Sequence, residues 1–125
     1  MAVITIYEDD LTDLYRTYDP LFNNGHRLIL YYSGDDDITS EETVGELVGI
    51  GFKKEDIHRR VLEPEESDFY FIDGLRGHCF GLFSLLPKEK CYLVSGDPFI
   101  REEAEKRHLN VLEGDISDLI ERGQK

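Results

Sequence analysis

The sequence predicts an α/β domain built on a mainly parallel sheet, and three observations support this. Short apolar runs alternate with amphipathic segments along the whole chain. The runs are rich in β-branched and aromatic residues, which favour strands, whereas the amphipathic segments repeat apolar residues at helical spacing. Most runs end in acidic residues or glycine, as buried strands do where they open into loops. Strands that alternate with helices indicate a doubly wound sheet with right-handed crossovers.

Five strands are predicted, and the clearest is FYFID at residues 69–73. Four residues with aromatic or branched side chains are followed directly by Asp73 and then by Gly74, whose conformational freedom allows the chain to turn. The other four are AVITIY at 2–7, RLILYYS at 27–33, CYLVS at 91–95 and NVL at 110–112. A minor edge strand is expected at residues 60–62.

Helices are predicted in the segments between these strands. The second one has the clearest start, because the hydroxyl of Ser40 precedes Glu41 and Glu42, and acids favour the first helical turn. The predicted helices span residues 11–21, 40–50, 52–60, 77–86, 100–109 and 116–122.

Length and composition indicate one globular domain over residues 1–125. The chain carries 14 basic and 27 acidic residues, for a formal net charge of −13. The electrostatic field of this negative charge repels nucleic acid and anionic membranes, and it attracts cations and basic protein surfaces. The oligomeric state does not follow from the composition.

The cysteines and the N-terminus indicate a cytoplasmic protein. Cys79 and Cys91 belong to no CxxC pair and have no zinc-type spacing, so reduced, mostly buried thiols are expected. No apolar run has the length of a membrane span. The opening MAVITIYEDD lacks a basic region and is not expected to be a signal peptide.

Acidic side chains follow nearly every predicted strand. They are Glu8 to Asp10, Asp35 to Asp37, Asp73, Asp97, and Glu113 with Asp115. In a parallel sheet these strand ends lie on one edge, where carboxylates repel one another. A divalent cation relieves that repulsion, and Mg²⁺ suits one to three carboxylates with waters. The sequence therefore predicts a Mg²⁺ site at this edge, although an acidic protein also places some acids there by chance.

The order of these motifs resembles the receiver domains of two-component response regulators, which have a flavodoxin-like fold. YEDD at residues 7–10 is similar to the family's acidic opening, and IDG at 72–74 to the strand that bears its phosphoacceptor aspartate. VSGD at 94–97, the helix REEAEK and the strand LNVLEGD are similar to the family's fourth strand, fourth helix and fifth strand.

The resemblance implies a role for each matching residue. Glu8 and Asp9 would hold Mg²⁺, with Asp73 as the third ligand and the phosphoacceptor. Ser95 would be the switch hydroxyl that moves toward the phosphoryl group. A histidine kinase or another signalling protein would be the partner.

One departure from the family keeps other functions open. Glu113 and Gly114 stand where receivers place lysine and usually proline, so the sign of that charge is reversed. The chain is then expected to be a stand-alone receiver or a degenerate pseudo-receiver that acts by protein–protein binding. The alternatives are a metal-dependent ribonuclease resembling the PIN family, and an acidic protein-binding module without phosphotransfer; fold alone does not choose among them.

Overall fold

A computed structural model describes residues 2–34, 37–59, 65–73, 85–94 and 97–123 of the chain. The strands are β1 (Val3–Glu8), β2 (Arg27–Tyr32), β3 (Ile57–His58), β4 (Phe69–Asp73) and β5 (Cys91–Val94). The α-helices of this part are α1 (Leu11–Tyr18), α2 (Glu41–Gly49), α3 (Pro98–Lys106) and α4 (Ile116–Gly123). Short 3-10 turns are formed by Asp19–Leu21, Lys54–Asp56 and Lys88–Lys90.

The strands form one parallel sheet in the order β3-β2-β1-β4-β5, which confirms the predicted fold class. The central strand β1 pairs with β2 over its whole length and with β4 over residues 4–7. Beyond β5, Val111 forms a parallel bridge to Leu93. The longer strands together with this bridge follow the flavodoxin-like order, and β3 adds an outer edge beside β2.

Both faces of the sheet are buried, because alternate residues of each central strand point to opposite sides. On the first face, the strands pack against α1, α2 and α4 through Ile4, Ile6, Leu30, Phe71, Leu14, Tyr18, Leu47 and Ile120. On the second face, they pack against α3 through Tyr7, Ile29, Tyr70, Ile72, Leu93, Ile100 and Ala104. This double coverage explains why the strands read as continuous apolar runs rather than as alternating patterns.

The chain reverses its direction across the sheet between β1 and β4. It first moves outward through β2 to β3 with α1 and α2 on the first face, and then returns to the other side of β1. Because crossovers are right-handed, α3 then lies on the second face. The reversal opens a crevice at the carboxyl ends of β1 and β4, the place where open α/β sheets bind ligands.

The fifth strand differs from the prediction. Residues 110–112 form only the bridge at Val111, with hydrogen bonds from Leu93 N to Asn110 O and from Leu112 N to Leu93 O, both 2.9 Å. The chain turns away at Gly114, whose φ of +78° suits glycine and ends the pairing.

The predicted helix at residues 52–60 is wrong over its described part. One 3-10 turn, Lys54–Asp56, leads into β3. Asp56 is buried and ion-paired with Arg27 at 2.7 Å, so this turn is held against the start of β2 and the next residues pair with that strand.

Other predicted elements are confirmed or lie outside the described residues. Ser40 caps α2 as expected, accepting a hydrogen bond from Thr43 N at 3.3 Å. Of the helix predicted at 77–86, only residues 85 and 86 are described, and neither is helical. Cys79 and the edge strand at 60–62 lie outside the described ranges, whereas Cys91 is a free, buried thiol. No helix in the described ranges is long and apolar enough to cross a membrane.

Candidate metal centre

Glu8 ends β1 and is only 2% exposed. Its Oε1 accepts hydrogen bonds from the backbone N–H groups of Asp9 and Asp10, at 3.0 and 3.2 Å. The turn that takes the chain away from the sheet therefore also fixes this carboxyl group. The other oxygen, Oε2, is buried and accepts no hydrogen bond from the residues that the structure describes. Leaving such an acceptor unsatisfied costs about 1–3 kcal/mol, so a proton or a cation at Oε2 would be stabilising.

Asp73 ends β4 beside Glu8. The register that pairs Tyr7 with Ile72 places the next residue of each strand side by side. Glu8 lies two residues after Ile6, and Asp73 lies two residues after Phe71, and both of these apolar residues are buried on the first face of the sheet. Because alternate residues of a strand point to the same side, both carboxyl groups also point to the first face. Asp73 is less buried than Glu8, which leaves its carboxyl group within reach of solvent.

Asp13, in the first turn of α1, supplies a third carboxylate. Asp10 caps this helix, because its Oδ1 accepts a hydrogen bond from Asp13 N at 3.1 Å. One carboxylate oxygen from each of Glu8, Asp13 and Asp73 lies within 4.8 Å of the other two. At the rim, Arg16 Nη2 donates to Asp13 Oδ1 at 2.6 Å. We refer to Glu8, Asp13 and Asp73 as the acidic cluster.

Burial and repulsion control the protonation of the acidic cluster. Burial is the main cause that raises the pKa of Glu8 to about 10, and its contact with Asp73 adds to the shift. The amides of Asp9 and Asp10 act in the opposite direction. Burial also raises the pKa of Asp73, and the charges of Asp13, Asp9 and Asp10 add repulsion, whereas the neighbouring Glu8 carboxyl group lowers it. Without a cation, the raised pKa of Glu8 favours its protonated form.

The acidic cluster suits a hard divalent cation. Its three contributing groups are all carboxylates, which favours Mg²⁺ over metals that prefer nitrogen or sulfur ligands. A cation would replace the proton on Glu8 and satisfy Oε2.

Of the predicted ligands Glu8, Asp9 and Asp73, two lie in the acidic cluster and one does not. Glu8 and Asp73 meet in the acidic cluster, and its third member is Asp13 rather than Asp9. Asp9 lies close enough to raise the pKa of Asp73, and its Oδ1 is buried without a hydrogen bond. Its role as a ligand stays a prediction. Ser95, the predicted switch hydroxyl, lies outside the described residues.

Asp13 was not predicted, because it lies within a helix, whereas the predicted ligands all follow strand ends. Its position is three residues after Asp10, a spacing typical of a helix cap and first turn. The available signal was topological: α1 starts three residues after the last residue of β1, so its first turn lies at the same edge of the sheet.

Glu113 does not belong to the acidic cluster. It is 75% exposed, and its Oε1 lies 3.8 Å from Arg101 Nη2 on α3. The Glu113 side chain therefore faces outward and adds no negative charge to the acidic cluster.

Gly34 closes the β2 side of the site. Ser33 N donates to Glu8 O at 3.0 Å, which brings the end of β2 against the turn after β1. A Cβ at Gly34 would overlap the carbonyl oxygen of Asp9 and the phenol of Tyr32. Only glycine permits this approach, so it helps to fix the turn that holds Glu8.

Comparison with known proteins gives no family assignment. No protein-family model, no curated protein and no solved structure matches the chain. Its function is therefore argued from the sheet topology and the acidic cluster.

Proposed function

We propose that this chain is a receiver-like signalling domain whose acidic cluster binds Mg²⁺. The observation that carries the proposal is the convergence of Glu8, Asp13 and Asp73 at the β1–β4 crevice of a flavodoxin-like sheet. The topology predicts a ligand at that crevice, and the donor set predicts a hard cation.

Asp73 is the carboxylate that would accept a phosphoryl group. It is more accessible than Glu8, and Glu8 and Asp13 flank it. An Asp73 oxygen would form a bond to phosphorus while the bond from phosphorus to the donor's leaving oxygen breaks, and the electron pair departs with the donor. The cation would neutralise the charge that gathers on the phosphoryl oxygens.

Because Glu113 stands where receivers place a lysine, a pseudo-receiver without normal phosphotransfer is favoured. Glu113 is negatively charged and pairs with Arg101, so it would not neutralise a phosphoryl group on Asp73 as the lysine of a receiver does. A domain of this kind would act mainly by binding another protein. The net charge of −13 favours a basic surface on that partner, for example on a histidine kinase or another signalling protein.

Phe99 would supply a partner surface at the same edge of the sheet. It lies in the first turn of α3, which follows β5, and it is 82% exposed. Together with the acidic cluster, it would offer an apolar contact beside a negative charge. Aromatic side chains in such settings are frequent anchors of protein interfaces.

The phosphoacceptor role is tested with a small phosphodonor. The protein is incubated with Mg²⁺ and acetyl phosphate, and intact mass is measured for wild type, Asp73→Asn and Asp118→Asn. Asp118 is an exposed residue of α4 outside the acidic cluster, so its variant makes the same charge change without removing a cluster carboxylate. Modification of wild type and Asp118→Asn, but not of Asp73→Asn, supports phosphotransfer. Mg²⁺ binding without modification supports the pseudo-receiver, and absence of both contradicts the proposal.

A metal-dependent ribonuclease resembling the PIN family is the second candidate. The oxygen-only acidic cluster favours it, because such clusters also hold the metals of phosphodiester hydrolysis. The acidic charge opposes it, since RNA would be repelled. Metal-dependent degradation of single-stranded RNA that is lost in Asp73→Asn and retained in Asp118→Asn would establish this activity, and stable RNA would remove it.

A further inference from the structure

Tyr18 has a buried hydroxyl group that none of the described residues pairs with. The residue ends α1, its side chain is fully buried, and its Oη makes no hydrogen bond to the described part of the chain. Buried tyrosine hydroxyls usually have a partner, because an unsatisfied polar group loses its hydration without compensation. Glu8 Oε2 is likewise buried and lacks a donor. Within the described residues, the first face of the sheet thus carries a phenol and a carboxyl oxygen that are both buried without a hydrogen-bond partner.

The fold brings these two groups toward each other. α1 follows β1 and runs back along it, so its N-terminal end lies at the edge that carries the acidic cluster. Helical side chains lean toward the N-terminus of their helix, which directs the Tyr18 phenol toward that edge. Its ring lies 6.1 Å from that of Phe71, two residues before Asp73 on the same sheet face.

The electrostatics agree with this placement. Burial is the main cause that raises the pKa of Tyr18 well above its ordinary value, and the charges of Glu8 and Asp73 raise it further. Glu8 and Asp73 are therefore close enough to act on the Tyr18 phenol, which is buried on the same face of the sheet.

We propose that Tyr18 is a positioning residue of the cation site, whose phenolic O–H donates a hydrogen bond to Glu8 Oε2 when the cation is bound. The inference rests on the proposed Mg²⁺ site. The amides of Asp9 and Asp10 hold Oε1 from the turn, and Tyr18 holds Oε2 from within the core. Hydrogen bonds that orient a metal ligand in this way typically contribute 10–100-fold to metal affinity.

The test compares Tyr18→Phe with Tyr7→Phe by calorimetric titration with Mg²⁺. Tyr7 is the matched control, because its Oη is also buried and unpaired but belongs to the opposite face of the sheet. We expect Tyr18→Phe to bind Mg²⁺ about 10-fold more weakly than wild type, and Tyr7→Phe to bind it equally well. Without Mg²⁺, Tyr18→Phe should melt no lower than wild type, because it loses an unsatisfied buried group.

A spectroscopic signal separates positioning from a general loss of structure. Adding Mg²⁺ to wild type should perturb the tyrosine ultraviolet spectrum, and the perturbation should persist in Tyr7→Phe and disappear in Tyr18→Phe. If Tyr18→Phe binds Mg²⁺ as wild type does, or if both variants weaken binding equally, the role of Tyr18 is overturned while the Mg²⁺ site stands. If wild type binds no Mg²⁺, both proposals fail together.

Discussion

Glu8 and Asp73 lie side by side on neighbouring strands, one residue beyond the register pair Tyr7–Ile72, with their carboxyl groups on the same buried face. Two acids so placed cannot both ionise without compensation. In the absence of metal, a proton on Glu8 would compensate for the repulsion between the two groups. A bound divalent cation would compensate for it in place of the proton. Proton and cation therefore compete for one position, and this competition determines how stability and Mg²⁺ affinity should vary with pH.

Stability should fall as the pH rises when no divalent cation is present. The folded-state pKa of Glu8 is raised from 4.5 to about 10, so the folded protein binds this proton more tightly than the unfolded chain. The stabilisation is complete below pH 4.5 and is lost progressively as the pH rises toward about 10. Thermal unfolding in a chelator should show a Tm that falls over this range, and Glu8→Gln should reduce the fall. An equal fall in Glu8→Gln would assign it to other groups.

Mg²⁺ affinity should increase with pH. Binding must displace the proton of Glu8, so the affinity gains up to roughly tenfold per pH unit while one proton leaves for each ion bound. Calorimetry at about pH 6 and about pH 8, in two buffers that differ in ionisation enthalpy, measures both the affinity and the protons released. Binding that is independent of pH and releases no proton would show that the cation does not displace this proton.

Asp13 should matter more for cation binding than Asp9. One oxygen of Asp13 lies within 4.8 Å of the oxygens that Glu8 and Asp73 contribute, whereas Asp9 is outside this set. We expect Asp13→Asn to weaken Mg²⁺ binding at least about 10-fold and Asp9→Asn to weaken it less. The reverse order, measured by titration of both variants under one condition, would restore Asp9 as the third ligand.

Gly34→Ala should damage both the fold and the site. The added methyl group would overlap the carbonyl oxygen of Asp9 and the Tyr32 phenol, so the turn that holds Glu8 must move. Overpacking of this kind costs about 1–3 kcal/mol. Gly45→Ala is the control, because a Cβ there meets nothing within 4 Å. Denaturant unfolding should show the loss in Gly34→Ala only, and equal stability of the two variants would contradict the close approach.

Asp56→Ala should destabilise the fold without changing Mg²⁺ binding. Asp56 is 1% exposed, and Arg27 donates to it through Nε at 3.2 Å and Nη2 at 2.7 Å. Because Arg27 also pairs with Glu65 at 2.9 Å and is partly exposed, the expected loss is about 2 kcal/mol, below that for a fully buried pair. Urea unfolding measures this loss. Weaker Mg²⁺ binding in the folded variant would show that the pair also supports the site.

Most of the sheet could be predicted because its strands are buried on both faces. Runs such as RLILYY and FYFID are too short and too rich in β-branched and aromatic residues for buried helices, and their acidic ends marked the correct edge. β3 could not be predicted in this way. It has only two residues, and it pairs with β2 where the tertiary contact between Arg27 and Asp56 holds the preceding turn.

The acidic cluster was predicted only in part. Glu8 and Asp73 follow from the rule that ligands gather at the carboxyl ends of parallel strands. Asp13 depends on how α1 is oriented above that edge, which the local spacing of acids does not show. The outward ion pair of Glu113 with Arg101 could not be predicted either, because it joins the loop after Val111 to a helix on the second face.

A crystal soaked in Mn²⁺, which substitutes for Mg²⁺ at oxygen sites and scatters anomalously, gives the most direct test of a shared cation. We predict one anomalous peak within bonding distance of oxygens of Glu8, Asp13 and Asp73, close to the roughly 2.0–2.1 Å typical of Mg²⁺. The peak should be absent from crystals of Asp73→Asn. Wild-type crystals without a peak at these carboxylates, at millimolar Mn²⁺ and a pH near 8, would contradict the cation site.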